Sequence, residues 1–441
     1  MKRCIHFFVI ALLIFVLAAC SKPGSQQTAS TKNEAASSNG GDDAAAEELQ
    51  PEEGAELVIW GNGEAEGEWM KSVAEQFTEK YDVPVSFEEV AHGDAAKKLE
   101  TDGPAGLGGD VFMAPHDRVG QMTTAGLIYD NYYASEYKER LIDGVAEAVS
   151  SLNEEGEQKM YGFPLAIETV AMAYNKDLLD KMGFKPAETM DELIEQSKEF
   201  MAQNPGTYGF MLEPGNFYGN YSFIGGYEGY IFGENNTNPE DIGLNKEPAL
   251  KAAELLEKIR DEILPLKKED LTADVINSYF NEGKQLYTME GSWGVNGRID
   301  AGINLGVTVM PKLENGKVPT TFLGVKGLYV NSYSKYPKAA TLFAKFATSD
   351  EMLLKFFEQT GNLPPTKALL ENEKLKSDKL KMPFIEQAEH TVPMPNIPAM
   401  DSVWGGMDAA LTAIWNNDEE SKPALDKGVQ QIQEAINSQT K

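Results

Sequence analysis

Short apolar runs that alternate with longer amphipathic stretches are the feature of this sequence that most restricts its fold. The run at 57–60 stops at a glycine, and bulky apolar residues then recur at helical spacing across 69–77. Further apolar runs follow at 83–90 and 110–114. Strands that alternate with helices predict an α/β body with parallel sheets. The body begins at about residue 55, and its length favours two domains over one.

The N-terminus has the layout of a secretory signal peptide. Lys2 and Arg3 precede an apolar run over 5–17, which is too short to span a bilayer. The run ends in Leu-Ala-Ala followed by Cys20, a pattern typical of a bacterial lipobox. We therefore predict that residues 1–19 are removed and that Cys20 carries a lipid, although an ordinary signal peptide with a chance cysteine remains the alternative.

The segment after the cysteine is polar and rich in small residues. Residues 20–54 carry almost no large apolar side chain, so they cannot bury enough surface to offset the entropy of ordering. We predict a disordered tether that holds the body at the extracellular face of the cell membrane. Cys4 and Cys20 are the two cysteines of the chain, so the body has no cysteine for a disulfide and depends on its core.

Composition and motifs exclude several classes of function. A formal net charge of -30 argues against binding to nucleic acid. The three histidines of the body, His92, His116 and His390, have no partners at metal-ligand spacing, so no metal or cofactor is expected. No nucleophile elbow or free cysteine offers a candidate for covalent catalysis. The glycines at 61–67 miss the dinucleotide-binding spacing. Glutamates at 64, 66 and 68 would also repel the pyrophosphate of a dinucleotide.

Aromatic residues among glycines are the most informative pattern. Seven aromatic residues lie between positions 217 and 232, whereas aromatics make up 10% of the whole chain. Aromatic rings offer flat apolar faces to sugar rings, and a phenol adds a hydrogen bond. Core packing explains some of these residues, so we divide the cluster evenly and assign Tyr218 and Tyr221 to a ligand and Phe223 and Phe232 to the core.

Two glycine-flanked tryptophans, Trp293 and Trp404, lie in segments that predict loops. Little neighbouring bulk is available to bury either ring, so ligand stacking is favoured over core packing. The pair Asp117 and Arg118 is a further polar candidate, although a surface pair of this kind contributes little stability.

At these residues the chain resembles the maltose- and maltodextrin-binding proteins, the extracellular receptors of bacterial ABC importers for α-1,4-glucans. The similarity extends over nearly all of residues 55–438 and is specific because the motifs occur in order. The motifs are LVIW with NGE at 57–64, APHDR at 114–118, FPLAIE at 163–168, YNKDLL at 174–179, FNEG at 280–283, GVTVMP at 306–311 and MPNIP at 394–398.

The resemblance implies a two-lobed fold like that of periplasmic binding proteins, in which each lobe is a mainly parallel sheet flanked by helices. The ligand cleft would lie at the hinge. The first lobe would comprise 55–167 plus 328–376, and the second 168–327 plus 377–441. The ligand-binding residues implied by position are Asn62, Glu64, Asp117, Arg118, Glu168, Tyr218, Tyr221, Trp293, Met394 and Trp404.

Three departures from the family pattern bear on ligand length. Ala114 stands where the family carries a tryptophan, Asp408 where it carries an arginine that reaches the sugar, and Glu64 where it carries an aspartate. These changes leave the glucan class intact, but they make the number of sugar subsites an open question.

The expected function is therefore a lipid-anchored, monomeric receptor that binds maltose or maltodextrins and delivers them to a membrane ABC permease. No catalysis is expected. The alternatives are a receptor for another oligosaccharide such as cyclodextrin, trehalose or a β-glucan, an extracellular glycosidase that would use two of the carboxylates, and a purely structural surface protein.

Overall fold

A computed structural model describes residues 49–153 and 155–439 of the chain. The predicted signal peptide, Cys20 and most of the predicted tether lie outside the described residues. The strands are β1 (Leu57–Gly61), β2 (Val85–Glu89), β3 (Val111–Pro115), β4 (Ser150–Leu152), β5 (Gln158–Met160), β6 (Phe163–Glu168), β7 (Val170–Asn175), β8 (Tyr208–Met211), β9 (Asn238–Ile242), β10 (Gln285–Gly291), β11 (Leu305–Thr308), β12 (Thr321–Val330) and β13 (Thr391–Pro393).

Helices separate most of these strands. They are α1 (Glu64–Tyr81), α2 (His92–Asp102), α3 (Val119–Thr124), α4 (Ala134–Arg140), α5 (Val145–Ala148), α6 (Lys176–Met182), α7 (Met190–Gln203), α8 (Phe217–Gly226), α9 (Gly233–Asn236), α10 (Glu247–Ile263), α11 (Ala273–Asn281), α12 (Val295–Asp300), α13 (Pro337–Ala347), α14 (Asp350–Thr360), α15 (Lys367–Leu370), α16 (Glu373–Lys376), α17 (Met382–Ala388), α18 (Asp401–Trp415) and α19 (Ser421–Gln439). Short 3₁₀ turns lie at His116–Arg118, Lys268–Asp270 and Pro398–Met400.

The first sheet has the order β13-β12-β3-β1-β2, and β6 also pairs with β12. Strand β1 is parallel to β2 and β3, as the alternation of strands and helices predicts. Strand β12 runs antiparallel to both β3 and β6 and parallel to β13. We call the part of the chain built on this sheet the first lobe.

The second sheet has the order β11-β7-β10-β8 and defines the second lobe. Only the β10–β8 pairing is parallel, whereas β7 runs antiparallel to both β10 and β11. The expectation of a mainly parallel sheet in each lobe is therefore wrong for this one. Strand β7 comes from the first sheet and lies between β10 and β11, so no strand–helix–strand crossover, which would make neighbours parallel, joins it to either of them.

Each sheet has its own hydrophobic core. In the first lobe, the α1 ring of Trp69 packs against Phe356 of α14 with ring centroids 4.6 Å apart. Trp69 Nε1 donates to the Met352 carbonyl at 3.2 Å, so this buried indole is fully paired. In the second lobe, α8, α10 and α18 pack together around Phe217, Ile259 and Met407.

The two sheets meet where β6 passes directly into β7. Only Thr169 separates the two strands, and its hydroxyl lies 2.7 Å from the hydroxyl of Thr321 at the start of β12. Ala171 and Ala173 of β7 belong to the core of the first lobe, so the cores meet at this point. The predicted division of the body at 167/168, 327/328 and 376/377 remains a prediction.

Asn396 connects the MPNIP segment to the first lobe. Its Nδ2 lies within hydrogen-bond distance of the carbonyl oxygens of Glu147, Ala148 and Ser150. Gly120 of α3 lies so close that an added Cβ would stand 2.3 Å from the Asn396 carbonyl oxygen.

Within 49–153 and 155–439, none of the helices has the length and apolar character that a membrane span requires.

Candidate functional site

One wall of the candidate cleft forms where β1 ends and α1 begins. Asn62 follows β1, and its Oδ1 accepts from the His92 amide at 2.8 Å. Its Nδ2 donates to Glu66 Oε2 at 2.8 Å. These bonds fix the turn between the strand and the helix. Glu64 is exposed and adopts a φ of 51°, in the left-handed region that favours glycine.

A buried lysine lies at the base of this wall. Lys326 of β12 has a side chain only 3% exposed, and its Nζ contacts Glu66 Oε1 at 2.6 Å and Glu168 Oε1 at 3.0 Å. Asn362 Nδ2 also donates to Glu66 Oε1, at 3.0 Å. Together with the bond from Asn62, both oxygens of Glu66 are occupied. Glu168, at the end of β6, keeps one oxygen that is not bonded to Lys326.

The charges of this cluster stabilise one another. Burial would raise the pKa of Glu66, but the charge and hydrogen bond of Lys326 lower it overall. Burial would lower the pKa of Lys326, but Glu168 and Glu66 raise it overall. Burial and the positive charge of Lys326 also lower the pKa of His92. A protonated lysine between two carboxylates is therefore the stable state near neutral pH.

His116, at the end of β3, is fully buried and links both lobes. Its Nδ1 accepts from the Val325 amide at 2.9 Å, so its Nε2 carries the proton that it donates to the Met394 carbonyl at 3.1 Å. Burial lowers the pKa of His116 and stabilises this neutral form. Met394 itself is buried in the core of the second lobe, so its backbone faces the site while its side chain packs.

The next two residues make polar contacts with α18 across the cleft. Asp117 Oδ2 accepts from Trp404 Nε1 at 3.2 Å. Arg118 Nε lies 3.6 Å from the same Asp117 oxygen, and its Nη1 pairs with Asp401. The Asp-Arg pair is therefore not a free surface pair, because each member contacts the second lobe.

Tyr218 of α8 reaches the same region from the second lobe. Its hydroxyl oxygen is buried and has no hydrogen-bond partner among the described residues. Burial, and next the charges of Glu168 and Asp117, raise the pKa of this hydroxyl. Gly324 of β12 lies beside both groups, since a Cβ added there would lie 3.3 Å from Glu168 Cβ and 3.5 Å from the hydroxyl. This hydroxyl therefore lacks the partner that a buried polar group normally has.

Tyr221 does not share this position. It is 2% exposed and stacks on Phe322, with ring centroids 4.0 Å apart and planes inclined by 6°. Its assignment to a ligand is not supported by the structure, because the ring packs in the core of the second lobe. Phe223 and Phe232 are buried, in agreement with their assignment to the core.

Trp293 is 39% exposed and lies two residues after the end of β10. Its ring lies over Gly291, where an added Cβ would stand 2.3 Å from the ring. Gly294 leaves room for the Glu290 carboxylate, which pairs with Arg298 Nε at 2.6 Å. The flanking glycines thus allow a tight turn that exposes the indole. No hydrogen bond or ring contact links Trp293 to Tyr218 or Trp404 within the described residues.

A second buried lysine supports this turn. Lys381 Nζ donates to the Ser292 carbonyl at 2.5 Å and lies against Gly361 at the end of α14. Burial lowers the pKa of Lys381 to about 8, while Asp378 and Glu290 oppose the shift. The ammonium therefore joins the Trp293 turn of the second lobe to a helix end of the first.

The sequence did not single out Glu66, Lys326 or Lys381. A detectable signal existed for Lys326, since it is a lone charge inside the apolar run 321–330. A lysine there must be paired, because an isolated buried charge is far too costly. Its partners could not be read from sequence, since they come from α1 and β6.

Taken together, the first lobe supplies carboxylates and a guanidinium, and the second supplies aromatic rings and an unpaired hydroxyl. Carboxylates that keep a free oxygen accept bonds from vicinal hydroxyls, and these charge-assisted bonds are strong in a partly dry cleft. Such an arrangement suits a neutral polyhydroxylated ligand that stacks on rings.

Comparison with known proteins gives the class to which this fold and site belong. A family model described as a bacterial extracellular solute-binding protein matches residues 72–383. The galactooligosaccharide-binding protein of Bacillus subtilis is 32% identical over 384 residues, which are 86% of this chain and 88% of that protein. The maltodextrin-binding protein MdxE of the same organism is 30% identical over 379 residues, with 84% and 87% covered.

A crystal structure of a cyclo/maltodextrin-binding protein complexed with maltotetraose shares the fold with a TM-score of 0.74. The identity is 35%, and 86% of this chain and 97% of that chain are covered. The chain therefore belongs to the bacterial extracellular solute-binding proteins. The two-lobed α/β fold expected from the resemblance is confirmed, and the role of the chain is to bind a solute outside the cell.

We expect Lys326→Met to destabilise the protein by about 3–5 kcal/mol, because it leaves two buried carboxylates without their counter-charge. Chemical unfolding at pH 7 measures the change. Lys355→Met is the matched control, since Lys355 pairs with Glu351 on the surface of α14 and its loss should cost less than about 1 kcal/mol. Equal stabilities of the two variants would contradict the role given to Lys326.

Lys381 predicts a specific pH dependence of stability. The unfolded chain holds the proton up to about pH 10.5, whereas the folded chain releases it near pH 8. Between these values the unfolded state binds more protons, so the contribution of this group to stability rises with pH. The free energy of unfolding of the wild type, relative to Lys381→Met, should therefore increase from pH 7 to pH 10.

Urea unfolding at pH 7, 8.5 and 10 measures this difference. Lys335→Met, at an exposed lysine of the first lobe, is the control and should show a difference that changes little over the range. A constant difference for Lys381→Met would show that its ammonium titrates normally.

Proposed function

We propose that this protein is a lipid-anchored extracellular receptor that binds maltose or maltodextrins between its lobes and delivers them to a membrane ABC permease. The observation that carries the proposal is the hydrogen bond from Trp404 Nε1 to Asp117 Oδ2, which places a carboxylate of one lobe beside an aromatic ring of the other. A sugar bound there would present hydroxyls to the carboxylate and a ring face to the indole.

The relatives support the glucan class. One is a maltodextrin-binding protein, and a structural neighbour at 35% identity holds maltotetraose. The ligand-binding residues that we propose are Asn62, Glu64, Asp117, Arg118, Glu168, Tyr218, Trp293, the backbone at Met394, and Trp404. We propose further that the receptor acts as a monomer.

Galactooligosaccharides are the second candidate ligand. The relative that is 32% identical over 86% of this chain is a galactooligosaccharide-binding protein. Both ligand classes are neutral oligosaccharides, so the carboxylates and rings suit either. They differ in the linkage between sugar units, and therefore in the curvature of the chain that the cleft must follow.

Binding without catalysis agrees with the charges of the site. A glycosidase needs a carboxylic acid with a raised pKa to protonate the leaving oxygen. Here Glu66 and Glu168 share the ammonium of Lys326, and the pKa of Glu66 is lowered overall. A carboxylate held in this way accepts hydrogen bonds well but donates a proton poorly.

Ligand binding would favour the closed arrangement of the lobes. Asp117 and Arg118 contact α18, and a sugar would add contacts to both walls at once. A ligand shifts the equilibrium by its difference in affinity for the two arrangements. The permease would then recognise the closed, loaded receptor.

Calorimetric titration with maltose through maltoheptaose, and in parallel with β-1,4-galactooligosaccharides, tests the proposal. We expect micromolar or tighter binding of the maltodextrins, and we expect Trp293→Ala to weaken it by about 1–3 kcal/mol. Tyr333→Ala removes an equally exposed aromatic ring of the first lobe and serves as the control.

Absence of heat and of a melting shift with every maltodextrin would overturn the glucan assignment, and binding of galactooligosaccharides alone would replace it with the second candidate. Reducing ends released during long incubation, and lost in Glu168→Gln, would replace the receptor with an enzyme.

The lipid anchor has a separate test. Cys20→Ala should leave sugar affinity unchanged, because the acyl chains would act only as a membrane attachment. Fractionation of the host cell should find the variant in the medium or soluble fraction while the wild type sediments with membranes. A variant that stays on the membrane would contradict the anchor.

A further inference from the structure

Lys381 is a buried charge that lies outside the proposed sugar contacts. Its Nζ donates to the Ser292 carbonyl at 2.5 Å. No carboxylate in the part of the chain that the structure describes lies within ion-pair distance of this ammonium. A buried ammonium without an ion pair costs folding free energy, and an apolar side chain of similar length would avoid that cost. Stability alone therefore does not explain a lysine at this position.

The ammonium lies between the end of α14 and the turn after β10. Gly361 ends α14 with a φ of 77°, and a Cβ added there would stand 2.3 Å from Lys381 Nζ. The same added Cβ would lie 3.3 Å from Nδ2 of Asn296, on the helix that follows the turn. A helix C-terminus favours a cation, because the last carbonyls carry partial negative charge. The end of α14 therefore helps to keep the ammonium charged.

Two carboxylates face the ammonium from a greater distance. Asp378 lies on the same segment, where its Oδ1 accepts from the amides of Leu380 at 2.9 Å and Lys381 at 3.2 Å. Glu290 of β10 pairs with Arg298 Nε at 2.6 Å. Burial lowers the pKa of Lys381 to about 8, and these two carboxylates limit the shift. Lys381 is therefore charged at pH 7 and becomes neutral as the pH rises past 8.

The bond from Lys381 controls the direction of Trp293. The Ser292 carbonyl and the Trp293 N–H belong to one planar peptide unit, so a donor on the carbonyl orients the unit from which the indole extends. The Gly294 amide closes the turn by donating to the Gly291 carbonyl at 3.1 Å. Within the described residues, the indole itself makes no hydrogen bond and no contact with another aromatic ring. The ammonium is therefore a main restraint on the position of the ring.

We propose that Lys381 is a positioning residue for sugar binding, because its ammonium holds the Ser292 carbonyl and so keeps the Trp293 ring in the direction that stacks on a sugar. The inference rests on the proposed function, which places Trp293 against the ligand. A neutral amine donates a weaker bond, since charge-assisted hydrogen bonds are roughly twice as strong as neutral ones. The protonated receptor should therefore bind sugar more tightly, and bound sugar should in turn favour the protonated lysine.

Calorimetric titration of the wild type with maltotetraose at pH 7, 8.5 and 9.5 tests this coupling. The dissociation constant should rise by about fivefold or more from pH 7 to pH 9.5 as the charge-assisted bond is lost. At pH 8.5, titrations in two buffers of different ionisation enthalpy should show that the receptor takes up protons when it binds the sugar. A lysine with a merely structural role would produce neither effect.

Variants show whether Lys381 acts through Trp293. Lys381→Met should bind at every pH with the weak affinity of the wild type at pH 9.5. Lys381→Arg keeps its charge, so its affinity should not change with pH. Trp293→Ala should also lose the pH dependence, and adding Lys381→Met to it should weaken binding no further. The profiles of the wild type and of Trp293→Ala decide the proposal even if a Lys381 variant fails to fold.

Lys335→Met is the matched control, because it removes an exposed lysine of the first lobe. Its affinity should follow that of the wild type at every pH. Equal affinities of the wild type at pH 7 and pH 9.5, or additive losses from Lys381→Met and Trp293→Ala, would overturn the positioning role while the receptor function stands. A wild type that binds no maltotetraose at any pH would overturn the proposed function, and this inference with it.

Discussion

The ammonium of Lys326 is the interaction on which the rest of the site depends. It joins α1 through Glu66 to the end of β6 through Glu168, at the point where the chain leaves the first sheet for the second. Hydrogen bonds from Asn62 and Asn362 complete the cluster. A buried charge is stable only while its partners stay within bonding distance. The cluster therefore fixes the position of the turn after β1 relative to the end of β6.

The two walls of the cleft are built by different means. The first lobe uses ends of strands in a sheet, where the backbone fixes polar groups such as Asp117 with little freedom. The second lobe uses helices and a glycine-flanked turn, and these present Tyr218, Trp404 and Trp293. Glycines at 291 and 294 allow close approaches of Trp293 and Glu290 that a Cβ would obstruct. The polar wall is therefore rigid, and the aromatic wall depends on tight packing behind each ring.

Much of the fold could be predicted because local patterns determine it. The runs at 57–60, 83–90 and 110–114 form the first parallel strands, and the stretch across 69–77 lies in the helix between the first two. The antiparallel second sheet could not be predicted, since pairing partners are far apart in the chain. Tyr221 was misassigned because a tyrosine among glycines is ambiguous until the helix faces are known. Lys326 was overlooked since its partners lie about 160 and 260 positions away.

The hydroxyl pair at the crossing of the strands has a mechanical consequence. Thr169 and Thr321 face each other at 2.7 Å, and either oxygen can be the donor. A hydroxyl proton rotates about its C–O bond, so the pair keeps its bond when one strand turns relative to the other. A backbone amide and carbonyl have no such freedom. Because Thr169 lies between β6 and β7, the two threonines can keep their hydrogen bond through a range of angles between β7, which enters the second sheet, and β12 of the first.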